Sequence, residues 1–188
     1  MARLILGVLI SGRGSNLQAL IDACATPNFP ARIALVISNK ADAAGLDRAK
    51  RAGIPTATIS HRESDFEARL DAALRAAGVE LVCLAGFMRV LSGPFVARWH
   101  DRIVNIHPSL LPAFPGIATH RRALEAGVAE TGCTVHFVRE EVDAGPIILQ
   151  ERVPILPGDT EASLAARVLQ SEHRIYPAAV RMLAEGRK

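Results

Sequence analysis

Cysteine is scarce in this 188-residue chain: Cys24, Cys83 and Cys133 stand far apart and are odd in number. That spacing offers neither a disulfide framework nor a zinc knuckle, and it suits reduced thiols, so a cytoplasmic location is expected. Long apolar runs are lacking as well. The segment from Met1 to Ile10 carries one Arg and a short apolar stretch that leads straight into Ser11-Gly12-Arg13-Gly14. It has no small-residue cleavage site and falls well short of the roughly 20 apolar residues a membrane helix needs, so neither export nor a membrane partner is expected. The formal net charge is only +3, and no run of Lys and Arg is interleaved with aromatics. A nucleic-acid partner is therefore not expected, and an acidic small molecule accounts for the mild positive balance equally well.

Several signatures of chemistry are missing too. The six histidines show no HExxH or other metal-ligand spacing, so no metal site is expected. His61, His100 and His136 are most simply surface or core residues. There is no G-x-S-x-G elbow and no Cys with a partner that would favour a thiolate, which leaves covalent catalysis without a candidate. A GxGxxG fingerprint and a P-loop are both absent, and Asn39-Lys40 stands where a dinucleotide fold places an acidic residue.

What the chain does have is a globular composition, 49% hydrophobic and 22% charged, with no low-complexity tract. Its length fits a single domain, 1–188, that buries a core without staples. Near-continuous apolar runs at Arg3 to Ile10, Arg32 to Ser38, Thr56 to Ile59, Val79 to Leu84 and Arg102 to Ile106 read as strands covered on both faces. Helical patterns separate them at Asn16 to Ala25, Ala43 to Ala52, Asp65 to Ala77 and about Pro94 to Trp99. Ser64 with Glu67 suggests a capping box for the third helix, and Gly78 its stop. Strand and helix alternate, which predicts an α/β fold with an open, mostly parallel sheet and right-handed crossovers. After His107, the crowding of Pro108, Pro112, Pro115 and Gly116 predicts a long loop. Cys133 to Arg139 and Ile147 to Val153 read as an antiparallel hairpin around Asp143-Ala144-Gly145. Thr160 to Ala184 reads as a closing helix, kinked or broken at Pro177.

Two places carry chemistry. Ser11-Gly12-Arg13-Gly14-Ser15-Asn16 follows the first strand and opens the first helix, where free N–H groups and the helix dipole favour an anion such as phosphate. The plainer alternative is a tight turn with Ser15 as cap. Asn105-Ile106-His107-Pro108 ends the fifth strand, and ligands in open α/β sheets bind at the carboxyl ends of strands. Asn105 and His107 alternate and so share one side, placing an oxyanion donor beside a proton carrier, a pair suited to acyl transfer. Taken alone, that histidine is more simply structural. Asp143 is by itself a turn residue, but if folding brings it to His107 its carboxylate would favour the protonated imidazole.

Read together, Ile10 to Asn16, Leu84-Ala85-Gly86-Phe87-Met88-Arg89, Asn105 to Pro112, Val135-His136-Phe137-Val138 and Glu172 to Pro177 resemble the folate-dependent glycinamide ribonucleotide formyltransferases. The motifs run in the same order over nearly the whole chain. The resemblance implies a Rossmann-like sheet, mostly parallel with an antiparallel hairpin near the C-terminal end and helices on both faces. A phosphate-binding part would fall at about 1–100 and a folate and catalytic part at about 101–188. It further implies that Gly14, Ser15, Asn16 and Glu172 bind the ribonucleotide. Arg62, Met88, Arg89, Val90, Leu91, Asn105, Glu140, Glu141, Val142 and Asp143 would bind the co-substrate 10-formyltetrahydrofolate, and Asn105, His107 and Asp143 would form the catalytic trio. The implied reaction is direct attack by the glycinamide amine on the formyl carbon, with no metal and with a monomer or weak homodimer as the working unit.

The chain departs from the family pattern at Ala118, where many bacterial members carry a histidine, a difference that leaves His120 as a substitute. The rival readings are the catalytic domain of a methionyl-tRNA formyltransferase, a formyltetrahydrofolate deformylase and a non-catalytic folate-binding module. The first lacks here the basic tract that would grip tRNA. The second usually carries an N-terminal regulatory domain, and the third leaves the trio without a purpose.

Overall fold

Residues 3–186 are described by a computed structural model. They fold in the order β1 (Leu4–Ile10), α1 (Ser15–Ala25), β2 (Ala31–Ser38), α2 (Gly45–Arg51), β3 (Thr56–Thr58), α3 (Phe66–Ala76), β4 (Leu81–Leu84), α4 (Gly93–Arg98), β5 (Ile103–His107), α5 (Thr119–Glu125), β6 (Glu130–Phe137), β7 (Ile147–Pro154) and α6 (Glu161–Glu185). The seven strands form one sheet in the order β3-β2-β1-β4-β5-β6-β7. β1 to β5 pair in parallel, and β6 and β7 pair antiparallel with their neighbours. The expected Rossmann-like sheet with a C-terminal hairpin is what the chain forms. The strand order reverses between β1 and β4, and the crevice beyond the carboxyl ends of strands at such a switch point is where ligands enter.

Alternation along each strand divides the core in two. Leu4, Leu6, Val8 and Ile10 of β1, with Leu81 and Cys83 of β4, face α1 and α6, while Leu9, Val82 and Leu84 face α3 and α4. Helices thus cover both faces. Tyr176 of α6 is fully buried, and its hydroxyl donates to the carbonyls of Leu84 (2.9 Å) and Val104 (3.3 Å), pinning that helix to the ends of β4 and β5. Burial pushes the Cys24 thiol up to about 11 and that of Cys133 to about 12, which disfavours the thiolate form of both.

Three local expectations are corrected. Ser64 and Glu67 form no capping box: α3 takes Asp65 as its N-cap, one residue too late for Glu67 to reach back. The Glu67 carboxylate instead accepts the backbone N–H of Ser92 (2.7 Å) and its hydroxyl, joining α3 to the start of α4. The proline-rich stretch after His107 is shorter than expected, because α5 begins at Thr119 as soon as Pro115 and Gly116 are passed. Pro177 does not break α6, which continues to Glu185 with Ile175, Tyr176, Ala179 and Val180 buried. One missing backbone hydrogen bond weighs less than that buried stripe. A capping box does exist at the start of α6, between Thr160 and Ser163. No helix among the described residues is long and apolar enough to cross a membrane.

Candidate active site

The candidate face arises from alternation meeting the end of a helix. On β5, Val104 and Ile106 point into the α1/α6 core, and Ile103 lies on the other face under Trp99 of the α4 turn. One and two strand steps further along that second face are Asn105 and His107, beyond the reach of α4. β6 repeats the pattern: Cys133 and Val135 join the core, and the register sets His136 opposite Asn105 and Thr134 opposite His107. Polar side chains therefore gather where the sheet has no helical cover.

Asp143 closes this cluster from the β6–β7 connection, in a left-handed conformation with φ 55. Its Oδ2 lies 3.5 Å from His107 Nδ1, and its Oδ1 lies 3.7 Å from His136 Nε2. The preceding loop holds both partners by backbone groups. Phe114 carbonyl accepts His107 Nε2–H at 3.0 Å, and Gly116 N–H donates to Asp143 Oδ2 at 2.8 Å. Since a carbonyl only accepts, His107 Nε2 carries a proton, and Nδ1 faces the carboxylate. The expected approach of Asp143 to His107 therefore occurs.

His136, read from the sequence as an ordinary surface or core residue, belongs to the same cluster. Its Nδ1–H donates to the Phe137 carbonyl at 2.9 Å, which leaves Nε2 to accept an N–H of the Asn105 amide at 3.3 Å. Burial lowers its pKa, an effect partly opposed by that backbone bond and by Asp143, so the ring stays neutral and keeps Nε2 as an acceptor. One Asn105 N–H is thereby held, and the second is available to a ligand. His120 is also shifted down by burial, and its Nδ1 is buried without a partner.

A cavity of about 290 Å³ opens against this cluster, lined by Phe87, Met88, Arg89, Val90 and Leu91 on one side and by Asn105, His136, Val142 and Asp143 on the other. Most of the residues assigned from resemblance to the folate thus line this one cavity. Arg62, Glu140 and Glu141 do not line it. Arg62 is exposed in the turn after β3, and the Glu140 carboxylate packs against Gly93. His107 lies just behind the wall, 5% exposed.

The second candidate region is the start of α1. Gly14 is its N-cap, at φ 71, and contributes no side-chain cap, so the reading of Ser15 as cap fails: Ser15 is the first helical residue. The first-turn N–H groups are thus left to solvent or a ligand. A Cβ on Gly14 would meet Gly45 Cα at 2.6 Å, so the starts of α1 and α2 touch through glycines. An open groove beside this turn is lined by Ser15, Gln18, Ala19, Asp22, Arg48 and His173, of which only Ser15 was a candidate from the sequence. Asn16 Nδ2 donates to Glu172 Oε2 at 2.6 Å, joining the two ends of the chain, while Asn16 Oδ1 is buried and unpaired. Burial raises the Glu172 pKa, against the lowering effect of that hydrogen bond.

Residues 5–180 match the formyl transferase family. The chain is 58% identical over 183 residues to the trifunctional purine biosynthetic protein adenosine-3 of Homo sapiens, covering 95% of this chain but only 18% of that protein. It is 50% identical over 184 residues to the phosphoribosylglycinamide formyltransferase of Escherichia coli (strain K12), covering 96% of this chain and 87% of that one. Its fold superposes on the crystal structure of glycinamide ribonucleotide transformylase 1 from Symbiobacterium toebii with a TM-score of 0.95 and 54% identity, covering 98% of this chain and 89% of that one.

Proposed function

Because the chain belongs to the formyl transferase family, we propose that it transfers the formyl group of 10-formyltetrahydrofolate to the amine of glycinamide ribonucleotide. The products are formylglycinamide ribonucleotide and tetrahydrofolate, and the reaction is a cytoplasmic step of de novo purine biosynthesis. The observation that carries this reading is the cluster of Asn105, His107, His136 and Asp143 beside the cavity. It combines a fixed amide donor with a carboxylate and imidazole pair. The ribonucleotide phosphate would occupy the α1 terminus, and the folate ring the cavity, with its edge read by the backbone of Met88 to Leu91.

The amine nitrogen attacks the formyl carbon, and the carbonyl oxygen becomes an oxyanion. The free N–H of Asn105 donates to that oxygen, at a position already set by His136. The folate nitrogen must then leave with a proton. Asp143 touches the cavity and faces His107 Nδ1, so the pair is placed to hold the proton released by the attacking amine. A water on the carboxylate can carry it across to the leaving nitrogen. No covalent enzyme species forms.

The test follows the absorbance change as 10-formyltetrahydrofolate, or a dideaza analogue, loses its formyl group. Turnover that requires the ribonucleotide is expected. Deformylation without it would replace the transferase by a hydrolase, and no turnover in either case would reject formyl chemistry on this acceptor.

A further inference from the structure

Four neighbouring strand ends are joined by side chains that the proposed chemistry does not use. Met88 lies in the turn after β4, Ser11 follows β1, Asn39 follows β2 and His61 comes shortly after β3, which is the spatial order of those strands in the sheet. Met88 N–H donates to Ser11 Oγ at 2.8 Å, the Ser11 hydroxyl donates to Asn39 Oδ1 at 2.6 Å, and Asn39 Nδ2 donates to His61 Nδ1 at 3.1 Å. The donors all run in one direction, so each bond polarises the next. Ser11 and Asn39 are 5% and 4% exposed, which leaves water little access to replace a lost partner.

The end of this relay is the backbone of the cavity wall. Ala85 N–H still pairs with the Leu9 carbonyl at 2.9 Å, Gly86 then turns the chain at φ 73, and Met88's amide is caught by Ser11. The Met88 side chain is 71% exposed and lines the cavity, so the relay holds the backbone and leaves the side chain to a ligand. Ser11 also immediately precedes the Gly12-Arg13-Gly14 turn at the start of α1.

We propose that Ser11 and Asn39 are positioning residues for the formyl donor: by fixing the backbone at Met88 to the strand that ends in the α1 turn, they set the separation between the donor and ribonucleotide subsites. A relay that served only stability would affect both substrates alike. One that positions the donor loop affects the donor. This inference rests on the proposed transferase reading.

The experiment compares the full-length wild type, first shown to turn over, with Ser11→Ala, Ser11→Thr and Asn39→Leu. Ser11→Ala is expected to raise KM for the formyl donor about three- to tenfold, the weight of one hydrogen bond, with kcat and the ribonucleotide KM within about twofold. Ser11→Thr, which keeps the hydroxyl, returns the donor KM toward wild type, and Asn39→Leu raises it less than Ser11→Ala. Amide hydrogen exchange at Met88 speeds up in Ser11→Ala while β1 and β4 amides keep their protection. Equal rises in both KM values, or an unchanged donor KM with unchanged Met88 exchange, overturns the inference. Should Ser11→Ala fail to fold, Asn39→Leu is judged on the same readouts. Exchange at Met88 needs no turnover, so a wild type without transferase activity defeats the functional reading and leaves the anchoring separately tested.

Discussion

Two regions on the same carboxyl edge of the sheet are built from different material. At the start of α1 the groups offered to a ligand are backbone N–H donors and a helix dipole, shaped by two glycines in contact. At the β5–β6 face they are side chains, Asn105, His136, Asp143 and His107, each held by a named partner. A backbone site tolerates a change of side chain and fails when a Cβ is added. A side-chain site tolerates neighbouring change and fails when one atom is lost. That contrast suits the division between holding an anion and reacting with a carbonyl.

The strongest test of the contrast is on the strand face. Asn105→Ala is expected to lower kcat by about 100- to 1000-fold while a non-reactive folate analogue still binds, because in the proposed mechanism the lost donor serves the oxyanion. His107→Ala should lose about 100-fold or more, and near-normal turnover in either variant would remove side-chain chemistry from this face. His136→Phe should cost about tenfold in kcat, since it releases the Asn105 amide, the weight of a single hydrogen bond, and removes the imidazole beside Asp143. In the wild type the same bond predicts a fall in turnover on the acid side, below the ordinary histidine range, once His136 Nε2 takes up a proton.

The α1 terminus should respond in the opposite way. Gly14→Ala forces a side chain onto φ 71 and against Gly45, and is expected to cost about 1–3 kcal/mol of stability and raise the ribonucleotide KM. Ser15→Ala keeps every N–H and should change that KM by no more than about threefold, the weight of a single hydrogen bond. Steady-state KM values with melting curves check both, and a larger loss from Ser15→Ala than from Gly14→Ala would reverse the comparison. The smallest effect concerns Glu172. Burial raises its pKa in the fold, so its contribution is complete below the ordinary value of about 4.3 and is lost as pH rises through the raised value. Glu172→Gln should flatten that part of the Tm-versus-pH curve, with a shift of about 2–4 °C for each kcal/mol removed. Parallel curves for the two proteins would show that the carboxyl does not titrate under strain.

Much of this was legible before folding. Apolar runs separated by amphipathic stretches specified the parallel strands and their helices, and the segments from Ser11 to Asn16 and from Asn105 to Pro108 were placed at strand ends. The errors lie where one local signal outweighed another. Prolines concealed α5, and a capping pattern at Ser64 was displaced when Glu67 found Ser92. His136 carried no motif of its own, and only the β5–β6 register set it opposite Asn105.

By itself the sequence determined which residues alternate, and therefore that Asn105 and His107 share a face and that Gly14 lies where a helix begins. These follow from periodicity within a few residues. Tertiary structure alone decided that Asp143 lies between two histidines, that Asn16 meets Glu172 across 156 positions, and that Ser11 holds the amide of Met88. Such contacts depend on strand order, register and loop path, which are settled by how whole elements pack and not by the pattern within any one of them.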